Sequence, residues 1–422
     1  MTTTTTDTLG PPRTSLGVIG WLHKNLFSTW YNTILTLVAL WFIYTVLSQL
    51  IVWALTAARW EVITANLRLF MVGPFPPEQV WRVWLVLCIV STLMGLSAGA
   101  FGGTLRTFAV WLSAAYATLI VLDLLAEQAR PFAAWSRQLA EGGASQFWIA
   151  VPGVVWLLVN LALVALGWYV ARGRTRWRAR LILAWLVSFF VTVALLQGYG
   201  RDTWLPEIGT NLWGGLLLTF MLAVVSIVVS FPLGVLLALG RRSKLPAVKI
   251  FCILYIELVR GVPLVTILYM TQIMLPLFLP GQLRIDNVTR AIAGMTFFTA
   301  AYMAENVRGG LQAIPTGQIE AAHAVGLNDA LTTLLIVLPQ ALRMVIPATV
   351  GLFISLFKDT TLATIVALLE LLGVGRSVLA QSEFMGLQME VYLFIAAIFF
   401  VFSYAMSFAS YRVEEALGVG KR

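Results

Sequence analysis

Ten stretches of this chain are apolar over lengths close to the about 20 residues that a helix needs to cross a bilayer. They are Ile34–Leu55, Val83–Phe101, Phe108–Leu125, Phe147–Val170, Leu181–Gln197, Leu212–Leu239, Val248–Leu279, Ala291–Val307, Ala341–Phe357 and Val391–Ser410. Two of them are irregular. Phe108–Leu125 carries Asp123 near its end, and Val248–Leu279 is too long for one straight crossing and contains Pro263 and Pro276. The second is expected to combine an interfacial segment with a kinked span. The expected fold is therefore an all-α polytopic membrane protein of about 8–10 transmembrane helices.

Charge supports this reading. Charged residues are 11% and hydrophobic residues 59% of the chain, against about 25% charged in an ordinary soluble domain. The net charge of +9 does not point to nucleic acid, because the basic residues gather in short loops. The densest cluster is Arg172, Arg174, Arg176, Arg178 and Arg180, with no acid among them, and a second holds Arg241, Arg242 and Lys244. Two spans separate these clusters, so both can face the cytoplasm, and both termini then lie inside as well. The loop Thr56–Arg82 strains this arrangement, since Arg59, Arg68 and Arg82 fall outside. Cys88 and Cys252 sit in apolar runs and read as small core residues. The polar N-terminus, MTTTTTDTLGPPRTS, lacks the features of a signal peptide.

The chain divides in character near Arg201. The spans before it are nearly free of ionisable residues. Those after it carry Glu257, Arg260, Glu305, Arg308, Arg343, Lys358, Asp359 and Glu370 inside or beside apolar runs. Charge near lipid is costly, so such residues pair with one another or line a path.

One polar-to-apolar stretch stands out, EAAHAVGLNDALTTLLIVLP, Glu320–Pro339. Pro315 suits the first turn of a helix and Gly326 its C-terminal cap. Asn328 or Asp329 can cap a second short helix running to Leu338. Seven positions fit one spacing: Glu320, Ala321 and Ala322, then Gly326, then Ile336, Leu338 and Pro339. Average residue usage produces that match at a given start roughly once in 10⁸, so chance is a poor explanation. The stretch resembles the EAA loop of ABC importer permeases, which docks the ATPase subunit. Tyr255–Leu264 (YIELVRGVPL) is similar to the E-x-x-R-G-T-P-L segment of polar amino-acid permeases, with Val262 in place of Thr. Ala304–Ala322, Leu356–Val366, Thr219 and Leu239–Ser243 also match that family. The long N-terminal part resembles the larger permease subunit of general L-amino acid ABC importers.

Several residues gain expected roles from this resemblance. Glu320, Ala321, Ala322 and Gly326 would form the ATPase-coupling surface, the alanines permitting close approach and Glu320 offering a charge. Glu257 and Arg260 are three apart and can pair on one helix face, and Glu305 and Arg308 repeat the spacing, with Tyr302 on the same face. They read either as structural ion pairs or as the lining of a gate. Lys358, Asp359, Thr360 and Thr361 read either as a solvated loop at the outer edge or as a site for a zwitterion. There, Lys358 would meet a carboxylate, Asp359 an ammonium, and the threonines would add hydrogen bonds. His323 reads as a surface residue. No phosphate-cradling Gly-x4-Gly-Lys-Ser/Thr motif occurs in the sequence.

The expected organisation is a cytoplasmic tail (1–30), an N-terminal transmembrane extension (31–200), a type I ABC importer permease core (201–417) containing the EAA loop (315–339), and a short tail (418–422). The resemblance implies a non-catalytic permease of the bacterial inner membrane that moves amino acids. It implies cytosolic ABC ATPase subunits carrying ATP-Mg, a second homologous permease subunit, a periplasmic amino-acid-binding protein and membrane lipid as partners. It implies no metal, and no cofactor on this chain. The runner-up is a secondary transporter of small polar solutes, in which the intramembrane charges relay protons. A membrane scaffold with charge-locked helices is a third reading.

Overall fold

The computed structural model describes residues 17–125, 153–200, 203–278, 280 and 285–418. The first part of the expected tail, the start of the expected span Phe147–Val170, Arg201, Asp202, Leu279 and residues 419–422 lie outside them. Among the described residues the secondary structure is helical, with one isolated parallel bridge between Gly215 and Glu370. The chain forms two compact units, Met1–Glu61 and Val62–Arg422, and the expected boundary at 200/201 lies inside the second.

The first unit contains α1 (Gly17–Leu26) and α2 (Trp30–Thr56). Thr29 caps α2 by accepting from the Asn32 amide, and Thr36 donates its hydroxyl to the Leu26 carbonyl at 2.8 Å. The apolar residues of α2 run all round the helix and none is buried, as suits a helix solvated by lipid.

The second unit opens with short helices α3 (Glu61–Ala65) and α4 (Leu67–Val72) and then four long ones. These are α5 (Trp81–Phe101), α6 (Gly103–Leu125), α7 (Gly153–Ala171) and α8 (Arg178–Gln197). Two devices hold them. Gly95 and Gly99 of α5 let its backbone meet α7 so closely that a Cβ on Gly95 would lie 2.3 Å from the Val164 carbonyl oxygen. Gly167 of α7 returns the approach, its missing Cβ falling 2.9 Å from the Thr92 carbonyl. Small residues four apart are how membrane helices gain contact area when lipid offers no hydrophobic drive. The second device is polar. Buried Ser91 donates to Asn160 Oδ1 at 2.7 Å and takes the Tyr116 hydroxyl at 2.9 Å, and Asn160 Nδ2 donates to the Trp156 carbonyl. One network thus joins α5, α6 and α7.

The remaining helices are α9 (Gly215–Arg241), α10 (Pro246–Arg260), α11 (Leu264–Tyr269), α12 (Leu275–Phe278), α13 (Asn287–Gln312), α14 (Thr316–Ala324), α15 (Asp329–Leu331), α16 (Leu338–Asp359), α17 (Leu371–Leu379) and α18 (Gln388–Leu417). Eight helical segments among the described residues are long and apolar enough to cross a membrane, and a ninth crossing arises if the bent pair α10 plus α11–α12 is one span. That pair bends by 109° at Gly261–Pro263, a sharp corner at the first of the two prolines in the segment expected to combine an interfacial stretch with a kinked span. Proline cannot donate a backbone hydrogen bond, so the helix breaks there.

The expected span Ala291–Val307 lies within the 26-residue α13, which is less apolar than the eight helices above. Half of α13 is buried, and it packs against α9, α10, α11 and α16, so neighbouring helices cover much of it. Small and polar residues suit that position. One expectation needs correction, the short helix expected to stop at Leu338. Instead, α15 passes through a π-helical segment, Thr332–Val337, straight into α16. The wider turn accommodates Pro339. The same device recurs at Met270–Met274 before Pro276, where the freed Gln272 carbonyl accepts from Arg290.

Placing a side chain at Gly95 tests the α5–α7 contact. Gly95→Val is expected to destabilise the second unit by about 1–3 kcal/mol through overpacking, read as a lower midpoint of unfolding in micelles. An unchanged midpoint would show that this approach contributes nothing.

Candidate functional site

Three features of the second unit hold the chemistry. The first is a charged brace where α9, α10 and α13 come together. Glu305 of α13 receives Arg308 through two guanidinium contacts, Nε at 2.9 Å to Oε2 and Nη2 to Oε1. Arg260 of α10 approaches the same carboxylate at 3.5 Å, and Arg241 of α9 stands 3.9 Å away. Arg241 also donates to Glu257 at 2.8 Å. Arg260 lies over the Tyr302 ring at 5.5 Å, and Arg308 donates to Gln312 at 3.0 Å. The Glu305–Arg308 pair thus forms within one helix. The expected Glu257–Arg260 ion pair does not, because Glu257 turns to Arg241 and Arg260 turns to Glu305. Helical spacing allowed the pair, but neighbouring helices offered each partner a charge across the bundle. Glu305 side-chain exposure is 22%, low enough for these contacts to hold against water.

The second feature is α14 and its following turn. Pro315 is the residue just before α14, rather than within its first turn. Gly326, at φ +87°, ends the helix in the left-handed region, with its amide on the His323 carbonyl and the Leu327 amide on the Ala322 carbonyl. This is a Schellman cap, which glycine forms without strain. Ile319 packs inward with Val307, Leu311, Ile314 and Val337, and Ala322 is buried, whereas Glu320, Ala321, His323 and Val325 are exposed. Ala322 therefore faces this chain's own core and is not available to a partner as expected. Val325, an apolar residue 78% exposed at the turn, is a contact candidate the sequence reading passed over.

Asn328 caps α15 by accepting from the Leu331 amide at 2.9 Å. Asp329 then binds Lys244 from the α9–α10 turn and, at 3.3 Å, His323 Nε2. The Asp329 carboxylate raises the pKa of the Lys244 ammonium. Arg241 and Lys244 lie on the same turn, so one short segment touches both the brace and the α14–α15 turn.

The third feature is α16. Ala341, Val345, Thr349, Leu356 and Phe357 are buried on one side. The other side exposes Gln340, Arg343, Met344, Ala348, Gly351, Ser355 and Lys358, at helical spacing. Hydrocarbon does not solvate glutamine, arginine or lysine, so this side is chemically suited to water, a solute or another protein. Lys358 is exposed and Asp359 half-buried, and neither makes an ion pair among the described residues. The threonines differ from expectation. Thr360 is buried and donates to the Phe357 carbonyl at 2.6 Å, and Thr361 donates to the Lys358 carbonyl at 2.8 Å. Both hydroxyl protons are thus used by the chain itself. Nor is the segment a loop, since α16 leads directly into a 3-10 helix, Thr360–Val366.

The family described as binding-protein-dependent transport system inner membrane component matches residues 230–418. The inner membrane amino-acid ABC transporter permease YhdY of Escherichia coli (strain K12) is 33% identical over 430 residues, covering 97% of this chain and 97% of that protein. The glutamate/glutamine/aspartate/asparagine transport system permease BztC of Rhodobacter capsulatus is 34% identical over 453 residues, covering 98% of this chain and 97% of that protein. The probable glutamine ABC transporter permease GlnP of Bacillus subtilis is 36% identical over 203 residues, which are 48% of this chain and 92% of its own length.

The brace makes Glu305 more demanding to replace than Glu257, because three guanidiniums share it. Glu305→Gln is expected to cost about 2–3 kcal/mol, and Glu257→Gln less, by unfolding of the purified protein. Equal costs would remove Glu305 from the centre of the brace.

Proposed function

The chain belongs to the family of amino-acid ABC importer permeases, and from that premise we propose how its parts divide the work. It is the transmembrane permease subunit of an ATP-driven importer for amino acids and a multi-pass inner membrane protein. ATP-Mg is bound and hydrolysed on separate cytosolic ATPase subunits. A second, homologous permease subunit completes the pathway, and a periplasmic binding protein delivers the amino acid. Both termini face the cytoplasm, and residues 201–417 form the permease core, with 31–200 as its transmembrane extension.

The observation that carries the coupling role is the two-faced α14. Its inner face is anchored by Ile319, with Ala322 buried beside it, while Glu320, Ala321 and Val325 project outward on a capped turn. An ATPase surface gripping that outer face moves a solid lever. Two routes lead from the lever to the core. Lys244–Asp329 ties the turn to Arg241 and the brace, and Arg308–Gln312 lies on the helix that enters α14. Closure of the ATPase pair is thereby converted into rocking of α9, α10 and α13 as one body.

The exposed polar side of α16 is the proposed wall of the path. Lys358 meets the substrate carboxylate and Asp359 its ammonium, both being free of other ion-pair partners. Thr361 contributes a lone pair rather than a proton, and Thr360 holds the helix end without touching substrate.

Two measurements test this reading in membranes reconstituted with ATPase and binding protein. Glu320→Lys is expected to lower ATPase affinity by about tenfold or more, with the permease still in the membrane. Lys358→Gln is expected to raise the KM for uptake by about tenfold with assembly unchanged. Normal ATPase co-purification in the first, or unaltered uptake kinetics in the second, removes the corresponding role.

A further inference from the structure

The two ends of the helical group α5–α8 treat arginine in opposite ways. At one end Arg82 is fully buried, donating to Gln79 Oε1 at 2.8 Å, to the Pro206 carbonyl at 2.9 Å and to the Leu195 carbonyl at 3.4 Å. At the other end Arg106, Arg172, Arg174, Arg176, Arg178 and Arg180 are all exposed. None of them makes an ion pair among the described residues. Four of them contact aromatic rings. Arg106 and Arg172 both lie over Trp168, at 5.8 and 5.0 Å, Arg174 lies over Trp177 at 5.3 Å and Arg178 over Phe101 at 5.5 Å. Arg178 also donates to the Ala100 carbonyl at 3.1 Å, which joins the α7–α8 turn to the end of α5.

This arrangement leaves these charges open to an anion from outside the described chain. Two like-charged guanidiniums share one indole with no carboxylate to neutralise them. The ring fixes each fork in place while leaving its N–H edge free, because stacking occupies the face and not the donors. Height matters too. The cluster stands within about a turn of where α5 ends at Phe101 and α7 at Ala171, over Trp and Phe rings of the kind that mark the bilayer interface. The anion present at that level is the phosphodiester of a lipid headgroup, and guanidinium binds it through paired hydrogen bonds.

We propose that Arg106, Arg172 and Arg174, positioned by Trp168 and Trp177, form with the neighbouring exposed Arg176 a binding site for the headgroup of an anionic phospholipid on the transmembrane extension. Arg178 supports the site from its bond to Ala100. This gives the extension a task distinct from coupling and transport: it holds the permease to an anionic patch of bilayer.

The test uses the full-length permease in phosphatidylcholine nanodiscs with and without phosphatidylglycerol. Wild type is expected to unfold at higher temperature when phosphatidylglycerol is present and to retain it in native mass spectrometry. The combined Arg106→Gln, Arg172→Gln and Arg176→Gln variant is expected to lose that gain and about a hundredfold in apparent affinity for the lipid, with unfolding in phosphatidylcholine alone unchanged. If the variant does not fold, phenylglyoxal labelling of wild type decides, since phosphatidylglycerol should protect Arg106, Arg172 and Arg176. An equal lipid-dependent gain in the variant, or no protection of those arginines, overturns the site. The same gain from inorganic phosphate in lipid-free micelles would make it a free-anion site and overturn the lipid assignment.

Discussion

Hydrocarbon does not solvate a charge, and the second unit is arranged around that constraint. The ionisable groups of α9, α10, α13, α16 and α17 illustrate three fates. Glu305, Glu257, Arg241, Arg260 and Arg308 neutralise one another across three helices. Glu370 is buried but caps α17 by accepting from the Leu372 and Gly373 amides at 2.8 and 2.9 Å. Arg343 and Lys358 do neither and stand on the exposed side of α16. The first two groups stabilise, whereas the third is left for something this chain does not supply. On the proposed function that something is a partner subunit or a solute.

The brace and the α14–α15 turn are better understood as one object. Arg241 and Lys244 are separated by two residues, yet one reaches Glu257 and Glu305 while the other reaches Asp329. The pair on the exposed turn is solvated and gives orientation rather than much stability. The partly buried brace resists deformation, because moving one helix alone would strand a charge. Force applied at the turn is therefore passed to three helices together.

Much of this architecture was legible in the sequence. Apolar run length located the spans, and the glycine at 326 announced the end of α14, because the left-handed turn requires it. What could not be read was lateral. Helical spacing put Glu257 near Arg260, but which carboxylate each arginine chooses depends on how α9 and α13 pack. Pro339 looked like a stop because a π-turn leaves no local signature. Thr360 and Thr361 offered two readings in the sequence, and the back-bonding of their hydroxyl protons to Phe357 and Lys358 is invisible without coordinates. The exposed row on α16 was present as a period of polar and small residues, and looking for that period would have found Gln340, Gly351 and Ser355. Gly95 and Gly99 likewise carried a small-residue spacing that hydropathy ignores.

The proposed orientation meets one objection from sequence, since Arg59, Arg68 and Arg82 would stand on the outer side. The positive-inside preference acts on charges that remain free to sense the membrane field and the anionic leaflet. Arg82 is not free, because its guanidinium is buried against Gln79 and two carbonyls. Arg59 lies 3.9 Å from Glu61, although that exposed pair is weak. Against these stand the six arginines at the opposite end of α5–α8, all exposed and none compensated by a described acid. Weighted by availability rather than by count, the basic end of the extension is the one expected inside. In the proposed orientation the arginine–aromatic belt and the α14–α15 turn face the same side of the bilayer, the side proposed for the ATPase.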